Sequence, residues 1–479
     1  MYDVVIIGAG VVGAMTAREL SRYRLKICVL EKENDVAMGA TKANSAIVHA
    51  GFDAETGTWK AKLNVLGAQK MPALCQELGV KYQNNGSLVV GFNEDDREML
   101  KKLLVKGQNN GVSDLRILEK QELQAMEPNL SDNINVALYA PTAGIVCPYE
   151  LAVAAIGNAM DNGAKLMCNF EVCAIEKRAD SYEIKSKTAT VSARYVVNCA
   201  GLYSHRIAAL AGDDSVSVHP RKGEYLLLDK ECGGHVKHVV FRTPTKMGKG
   251  ILVSPTVDGN LLLGPTSVDI TDKENKNTTA QGLEQIMKSA RETVDGVPFG
   301  KVITSFCGLR AVGNTGDFIF RSHLPGFLTA AGIESPGLSA SPAIAEHLVA
   351  LLRQQGLETE EKADFCPRRQ SMYAFRSASR EEKNRMIREN PAYGKIVCRC
   401  EGVTEGEILD ALRRNPKATD LDGVKRRTRA QMGRCQGGFC SPQIMELIAR
   451  EQEIPYEEVT KSGGNSRINL KKTKGGLAE

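Results

Sequence analysis

The fold of the N-terminal part of the chain is decided by the stretch Tyr2-Asp3-Val4-Val5-Ile6-Ile7-Gly8-Ala9-Gly10-Val11-Val12-Gly13. Its β-branched run over residues 3–7 predicts a buried parallel strand. The pattern over residues 12–23 predicts a helix, and residues 26–30 predict a second strand that ends at Glu31. This order of strand, glycine-rich turn, helix, strand and acidic residue predicts a dinucleotide-binding unit.

Each conspicuous residue of this unit has a physical role in such a site. Gly8 permits the tight turn, Gly10 lets the backbone approach a pyrophosphate, and Gly13 lets the helix pack closely on the strand. The N–H groups around Ala9 and the helix start favour phosphate oxygens. Glu31 can accept hydrogen bonds from ribose hydroxyls. The motif alone does not distinguish NAD from FAD.

Composition limits the class of protein to a globular one built from several domains. The chain has 479 residues, 42% of them hydrophobic and 25% charged, which excludes disorder for most of its length. Its 62 Lys and Arg residues against 57 Asp and Glu residues give a net charge of +5. A charge so small and so dispersed argues against a nucleic-acid partner.

The cysteines and the absence of long apolar runs predict a cytoplasmic protein. No run approaches the ~20 apolar residues that span a bilayer, and no leader peptide precedes the first strand, so we expect no direct membrane insertion. In a reducing compartment most of the 13 cysteines are expected to be small buried side chains without disulfides. Nine are scattered and are interpreted in this way: Cys28, Cys75, Cys147, Cys168, Cys173, Cys199, Cys232, Cys307 and Cys366.

Further segments resemble the D-amino-acid-oxidase-like superfamily of FAD enzymes. They are the small, hydroxyl-rich loop 39–51, the strand and turn 195–201, and the stretches 308–310 and 330–338, in the order of that superfamily. The resemblance implies FAD as cofactor. Besides the residues of the first motif, it implies that the following bind FAD: Thr41, Asn44, Ser45, Val172, Ala200, Gly201, Gly308, Gly332, Ile333, Gly337 and Leu338.

The resemblance also implies an interleaved α/β and α+β architecture over residues 1–352. A Rossmann-like FAD-binding domain would comprise about residues 1–45, 140–220 and 307–352. A mixed-sheet substrate domain would comprise about residues 46–139 and 221–306. A linker over 353–392, a small helical domain over 393–460 and a basic tail over 461–479 would complete the chain.

Within the superfamily the nearest likeness is to FAD-dependent glycerol-3-phosphate dehydrogenases, especially the catalytic subunit of the anaerobic type. It implies oxidation of sn-glycerol 3-phosphate to dihydroxyacetone phosphate. L-2-hydroxyglutarate oxidoreductases follow closely, so a 2-hydroxy acid is the alternative substrate. Two more distant functions also fit the motifs: an amine oxidase for proline-like substrates, and a non-catalytic electron-transfer module that binds FAD and a metal.

Oxidation of an anionic alcohol needs a base for the hydroxyl proton and cations for the anion. His49, which follows the flavin loop, is the first candidate for the base, and His219 is the second. The candidates for anion binding are Arg221, Lys246, Lys249 and Arg310.

The remaining four cysteines form two close pairs near the C-terminus. Cys398 and Cys400 form a C-x-C motif, and Cys435 and Cys440 form a C-x₄-C motif 34 residues later. Four thiolates suit either a [2Fe–2S] cluster or zinc, although zinc more often takes C-x₂₋₄-C pairs. Thr404 and Glu407 predict a capping box for the helix that lies between the pairs.

Residues 395–452 resemble the [2Fe–2S]-binding domain of bacterioferritin-associated ferredoxin. A domain of this kind, with the C-x₄-C spacing seen here, also ends the anaerobic dehydrogenase subunit. The resemblance implies that electrons leave through the cluster to companion electron-transfer subunits, so the protein would be cytoplasmic or peripheral to a membrane through those partners.

Two basic segments remain for interpretation. The basic residues between the cysteine pairs are expected either to offset the cluster charge or to form a solvated face. They are Arg413, Arg414, Lys417, Lys425, Arg426, Arg427, Arg429 and Arg434. The tail from 461 carries five cations against one carboxylate and is expected to be a disordered end or a docking strand for a partner.

Overall fold

A computed structural model describes residues 1–243 and 250–471 of the chain. Its strands are β1 (Tyr2–Ile7), β2 (Ile27–Leu30), β3 (Ile47–Val48), β4 (Tyr82–Gln83), β5 (Ser87–Gly91), β6 (Arg116–Glu119), β7 (Val136–Ala140), β8 (Gly144–Val146), β9 (Lys165–Met167), β10 (Ala174–Lys177), β11 (Tyr182–Lys185), β12 (Thr190–Asn198), β13 (Val218–Leu228), β14 (Val239–Arg242), β15 (Leu252–Pro255), β16 (Leu261–Gly264), β17 (Val268–Asp269), β18 (Val302–Gly313), β19 (Ile319–Leu324), β20 (Phe327–Ala331), β21 (Ile396–Cys398) and β22 (Val403–Thr404). Its α-helices are α1 (Val11–Leu20), α2 (Trp59–Leu78), α3 (Glu94–Asn109), α4 (Lys120–Met126), α5 (Pro148–Asp161), α6 (Ser204–Leu210), α7 (Ala280–Thr293), α8 (Gly337–Gln354), α9 (Ala374–Ser377), α10 (Arg380–Glu389), α11 (Glu405–Arg413), α12 (Leu421–Thr428) and α13 (Ser441–Gln452).

The first sheet has a parallel centre, in the order β20, β12, β1, β2, β9, and antiparallel strands β10, β11 and β19 at its periphery. Helix α1 packs against α5 and α8, and α8 also packs against α2. The strands at the centre are almost fully buried, which explains their continuous apolar sequence. Three separate segments of the sequence contribute strands to this sheet, as expected for an interleaved FAD-binding fold.

The second sheet has nine strands and is mixed. Strands β14 and β5 are parallel, whereas β13 is antiparallel to β16, β17 and β18. Separate apolar clusters cover its two faces. The long strands β13 and β18 cross the boundaries expected near residues 220 and 307 and carry residues from this sheet to the FAD-binding layer.

Residues 393–460 form a small helical unit with its own core, built around residues such as Ile408, Val424 and Ile444. Helix α11 begins with the predicted capping box: Thr404 and Glu407 each accept a hydrogen bond from the other's backbone N–H. The segment before this unit runs along the FAD-binding layer, since Arg369 N donates to Glu77 O at 2.7 Å.

The central arginines of the basic run do not form a solvated face, because Arg426, Arg427 and Arg429 are buried. Arg426 and Arg427 are buried and both bind Asp35 of the FAD-binding layer, at 2.6 and 2.7 Å. Arg429 is buried against Asp258 of the second sheet at 2.7 Å. The sequence does not show this because ion-pair partners more than 150 residues away leave no local signal.

A second group of polar contacts extends the same interface. Arg434 binds Asp229 at 3.0 Å, and Tyr149 Oη donates to Met432 Sδ at 3.4 Å. The small unit is therefore docked on both sheets. None of the helices within residues 1–243 and 250–471 is long and apolar enough to cross a membrane.

Candidate functional site

A cavity of about 700 Å³ lies between the two sheets, at the carboxyl ends of β1 and β2. Most of the residues expected to bind FAD line it: Gly8, Gly10, Glu31, Thr41, Asn44, Ser45, Val172, Ala200, Gly201, Gly308, Ile333, Gly337 and Leu338. Parallel strands place ligands beyond their carboxyl ends, so the position agrees with the sequence pattern.

Close backbone approaches explain the glycines of the first motif. Gly8 has φ +106°, and a Cβ there would lie 2.5 Å from Cys199 O. A Cβ on Gly13 would lie 2.0 Å from Gly8 O. Gly13 therefore does not line the cavity but lets α1 pack on β1, as the sequence predicts.

Two polar side chains complete the turn between β1 and α1. Val11 N donates to Thr41 Oγ1 at 2.9 Å at the start of the helix. Ala9 N donates to Glu31 Oε2 at 2.8 Å, so Ala9 lies behind the cavity wall and positions the carboxylate. Burial raises the pKa of Glu31, while backbone hydrogen bonds from Glu33 and Ala9 lower it. The first turn of α1 and the Glu31 carboxylate thus line the same end of the cavity, as a pyrophosphate and a ribose require.

The loop expected beneath the flavin is held against β18 and β13. A Cβ on Gly308 would lie 1.9 Å from Ala43 O, so only glycine allows this contact. Ser45 Oγ and Tyr225 Oη lie 3.2 Å apart. Gly332, with φ +63°, packs against Gly313 rather than the cavity.

His49 lines the other end of the cavity. Its backbone N–H donates to Ser339 Oγ at 2.8 Å, its ring stacks on Phe241 at 5.8 Å, and its Nε2 lies 3.5 Å from Ser335 Oγ. The ring is held by packing but reaches the cavity, as a base for a bound alcohol must.

Arg310 and Arg221 both line this end of the cavity but differ in their partners. Arg221 binds Asp269 through two hydrogen bonds, at 2.6 and 3.1 Å. Arg310 donates to Thr266 O at 3.3 Å and has no carboxylate partner within the described ranges. Of these two arginines, Arg310 is therefore the one available to an anion.

The remaining candidates are placed elsewhere. His219 does not line the cavity and lies 3.5 Å from Asp269, with about half of its side chain exposed. Lys246 and Lys249 lie outside the described residues. Sequence reasoning missed Tyr225, which lines the cavity beside Ser45, and Lys60, which reaches the cavity from α2 and binds Glu334 at 2.9 Å. Tyr225 ends the segment 220–225, which resembles both dehydrogenase families, but its place beside Ser45 and that of Lys60 follow only from the pairing of distant segments.

The donor groups of the cavity fit FAD. The glycine turn, the N–H groups of α1 and the Glu31 carboxylate match the pyrophosphate and ribose of a dinucleotide. The loop and β18 that follow extend the wall well beyond an adenosine site.

The four C-terminal cysteines lie together in two pairs. The Sγ atoms of Cys400 and Cys435 are 3.7 Å apart, and Cys440 is hydrogen-bonded to Cys398, which lowers the pKa of the Cys398 thiol. Backbone N–H groups, including that of Gln431, also point at the thiols. Among the described residues no three His, Cys, Asp or Glu side chains are gathered around a single metal position. Two separate cysteine pairs suit a two-iron cluster, in which each iron takes two thiolates.

The nine other cysteines only partly match the expectation of buried side chains. Six of them are buried and Cys168 is half-buried, but Cys173 and Cys366 are exposed. Burial raises the pKa of the Cys75 thiol to about 12. None of these nine belongs to the cluster motif.

Comparison with known families agrees with both sites. The FAD dependent oxidoreductase (DAO) family matches residues 3–351, and the BFD-like [2Fe-2S] binding domain matches residues 396–450. A glycerol 3-phosphate dehydrogenase of Caloramator mitchellensis is 47% identical over 476 residues, which cover 99% of each chain.

Two further relatives bear on the FAD-binding part. The dithionite-reduced L-α-glycerophosphate oxidase of Mycoplasma pneumoniae, with FAD bound, has a TM-score of 0.73 and 32% identity, and the match covers 77% of this chain and 98% of that one. The human mitochondrial L-2-hydroxyglutarate dehydrogenase is 34% identical over 284 residues, covering 56% of this chain and 61% of that protein. The interpretation as a non-catalytic module is therefore wrong. The chain belongs to the FAD dependent oxidoreductase family and carries a BFD-like [2Fe–2S] binding domain, with FAD and a [2Fe–2S] cluster as its cofactors.

Proposed function

We propose that the protein oxidises sn-glycerol 3-phosphate to dihydroxyacetone phosphate. The observation that carries this proposal is one continuous cavity that joins the dinucleotide motif to His49 and to Arg310, which has no carboxylate partner among the described residues. The identity of 47% to a glycerol 3-phosphate dehydrogenase along 99% of both chains supports it.

In this proposal His49 removes the proton from the C2 hydroxyl of the substrate. The stacking on Phe241 and the hydrogen bond from His49 N to Ser339 fix the ring at the cavity wall. Bound FAD supplies the acceptor for the hydride that leaves the same carbon. Ser335 Oγ, 3.5 Å from His49 Nε2, is placed to orient the ring.

Arg310 binds the phosphate of the substrate. A guanidinium presents two parallel N–H donors to a phosphate, and the pairing is strongest where water is excluded. Arg221 remains engaged with Asp269 and contributes to the charge of the wall. Lys246 and Lys249 remain candidates for the same role.

The residues assigned to FAD follow from the cavity wall. The turn at Gly8 and Gly10 takes the pyrophosphate, Glu31 takes a ribose, and the loop with Asn44 and Ser45 lies beside the flavin together with Gly308 and Gly337. All of these residues line the cavity, which supports the assignment.

Electrons would then leave one at a time through the cluster to a companion protein and from there to a quinone. The exposure of Cys400 beside the buried Cys398 gives the cluster an outward edge, which supports transfer to a partner. Contact with a membrane would be indirect, through such partners.

Anaerobic titration of the purified protein with glycerol 3-phosphate tests the reaction. Stoichiometric bleaching of the FAD absorbance supports the proposal, and an unchanged spectrum overturns it. His49→Asn provides the matched variant, which should bind FAD but bleach far more slowly.

L-2-hydroxyglutarate is the second candidate substrate. The likeness to the human dehydrogenase of that acid favours it, and Arg310 could bind a carboxylate as well as a phosphate. The same titration separates the two: bleaching by L-2-hydroxyglutarate and not by glycerol 3-phosphate would replace the first assignment with the second.

A further inference from the structure

Residues 270–279, called here the clamp loop, connect β17 of the second sheet to α7. The loop reaches across to the first sheet, where Tyr203 donates a hydrogen bond to Glu274 and Lys273 Nζ lies 2.7 Å from His205 Nε2. On its own side it is tied to β13, because Lys222 Nζ donates to Asn275 at 3.3 Å. The loop therefore bridges both sheets at the mouth of the cavity.

Four lysines line the cavity at this bridge: Lys273 and Lys276 from the loop, Lys42 after Thr41, and Lys32, which pairs with Glu33 at 3.2 Å. Within the described part of the chain, Lys42 and Lys273 form no ion pair with a carboxylate. Lys276 has one long pair, at 3.4 Å to Glu274. Lys42 and Lys273 are thus left to bind an anion, although Glu31, Glu33 and Glu171 also line this end of the cavity.

The surroundings of Lys42, Lys273 and His205 disfavour a positive charge on these groups. Lys42 is exposed to solvent, but the protein packed around its stem and the nearby cations Arg426 and Lys276 lower its pKa, with Asp422 acting in the opposite direction. Burial also lowers the pKa of Lys273, and burial followed by the charge of Lys273 lowers that of His205. Basic groups gathered in this way around a cavity are stabilised by an anion between them.

The position of the lysines identifies the anion. Lys42 follows Thr41, whose hydroxyl binds the first turn of α1, where the pyrophosphate of a dinucleotide is held. His205 follows the turn at Ala200 and Gly201, which lines the same end of the cavity. Arg310 and His49, which we assign to the substrate, belong to the opposite end.

We propose that Lys273 and Lys276 of the clamp loop, together with Lys42, bind the pyrophosphate of FAD. The second sheet thereby helps to hold the cofactor as well as the substrate. This assignment depends on FAD as cofactor and not on the identity of the substrate.

The test is FAD binding by the full-length protein after removal and re-addition of the flavin, followed by flavin fluorescence. Each lost charge-assisted contact is expected to weaken binding about tenfold, so K273M/K276M should bind FAD about 30- to 100-fold more weakly. ADP, which carries the pyrophosphate without the flavin, should compete less well by the same factor. K187M, which removes an exposed lysine remote from the cavity, is the control and should bind as the wild type does.

Two further measurements keep the outcome decisive. K273R/K276R preserves the charges and should retain most of the FAD affinity. If the double variant is unstable, K276Q replaces it, because this single variant leaves the contact between Lys273 and His205 intact. FAD affinity of K273M/K276M within twofold of the wild type overturns the proposal. The proposal is also overturned if the variant binds FAD normally but binds glycerol 3-phosphate more weakly, because the lysines would then bind the substrate.

Discussion

Arg221 and Arg310 lie directly opposite each other on the antiparallel strands β13 and β18. Like charges in this position repel, so one of them needs compensation. Asp269, which also pairs with Arg221 in the sheet, supplies it to Arg221 and leaves Arg310 without a carboxylate among the described residues. The strand register thus leaves Arg310 available for the anion that we propose, which neither arginine reveals in the sequence.

Removal of that cation should weaken substrate binding. A hydrogen-bonded charge pair contributes about 1.5–3 kcal/mol, so Arg310→Ala should raise KM for glycerol 3-phosphate about 10- to 100-fold. The measurement is steady-state reduction of an artificial acceptor. Arg321→Ala is the matched control, since Arg321 pairs with Asp213 away from the cavity. An unchanged KM in the Arg310 variant would exclude it from anion binding.

Replacement of the proposed base should act on the chemical step instead. General-base catalysis contributes about 10²- to 10⁴-fold, so His49→Asn should lower kcat within that range and change KM much less. Stopped-flow absorbance at the FAD band measures the step directly. The comparison requires equal flavin content in the variant and the wild type. A kcat near that of the wild type would show that a group other than His49 acts as the base.

At the scale of elements, local patterns predict helices well and predict contacts between helices poorly. The capping box predicted at Thr404 and Glu407 is confirmed at the start of α11. The fold around the glycine motif is also as predicted. Helix α12 shows what a local pattern misses, because its arginines look solvated in sequence but are buried against Asp35.

The pair between α12 and Asp35 should stabilise the docking of the cluster domain. Burial raises the pKa of Asp35, but Arg427 and Arg426 lower it more, and the net value lies well below the usual range. Asp35→Asn removes the carboxylate that both buried guanidinium groups contact and leaves only the nearby Asp420, at a cost of up to about 3–5 kcal/mol. We expect a lower Tm and faster tryptic cleavage near α10.

Glu389→Gln serves as the control for that experiment. Glu389 belongs to an exposed pair with Arg385 at 3.9 Å, whose contribution should be small. Equal protease resistance of Asp35→Asn and the wild type would show that the domain is held by other contacts, such as that of Arg429 with Asp258.

At the scale of the molecule, the two sheets, the connecting segment and the cluster domain meet around one buried carboxyl group. Glu150, at the start of α5, lies among Lys81, Asp258 and Arg429. Tyr373 of the connecting segment is buried and lies near enough for the charge of Glu150 to raise the pKa of its phenol. The separate parts recognised in the sequence thus share a polar junction, which could not be predicted from the sequence of any one segment.

The protonation of this junction should make stability depend on pH. Burial, and then the charge of Asp258, raise the pKa of Glu150 to about 8, so the folded protein keeps the carboxyl protonated at neutral pH. In the unfolded chain the group ionises near its ordinary value of 4.5. The stability associated with the protonated form is therefore fully present below about pH 4.5 and declines as the pH rises towards 8. The slope is up to about 1.4 kcal/mol per pH unit.

Glu150→Gln keeps the size of the side chain and removes its titration. Between pH 6 and pH 8 the variant should gain about 2–3 kcal/mol relative to the wild type, which denaturation at the two pH values measures. Glu446→Gln, at an exposed position of α13, should show no such change. If Glu150→Gln and the wild type lose stability in parallel over this range, Glu150 is ionised in the folded protein, and Lys81 and Arg429 must neutralise it.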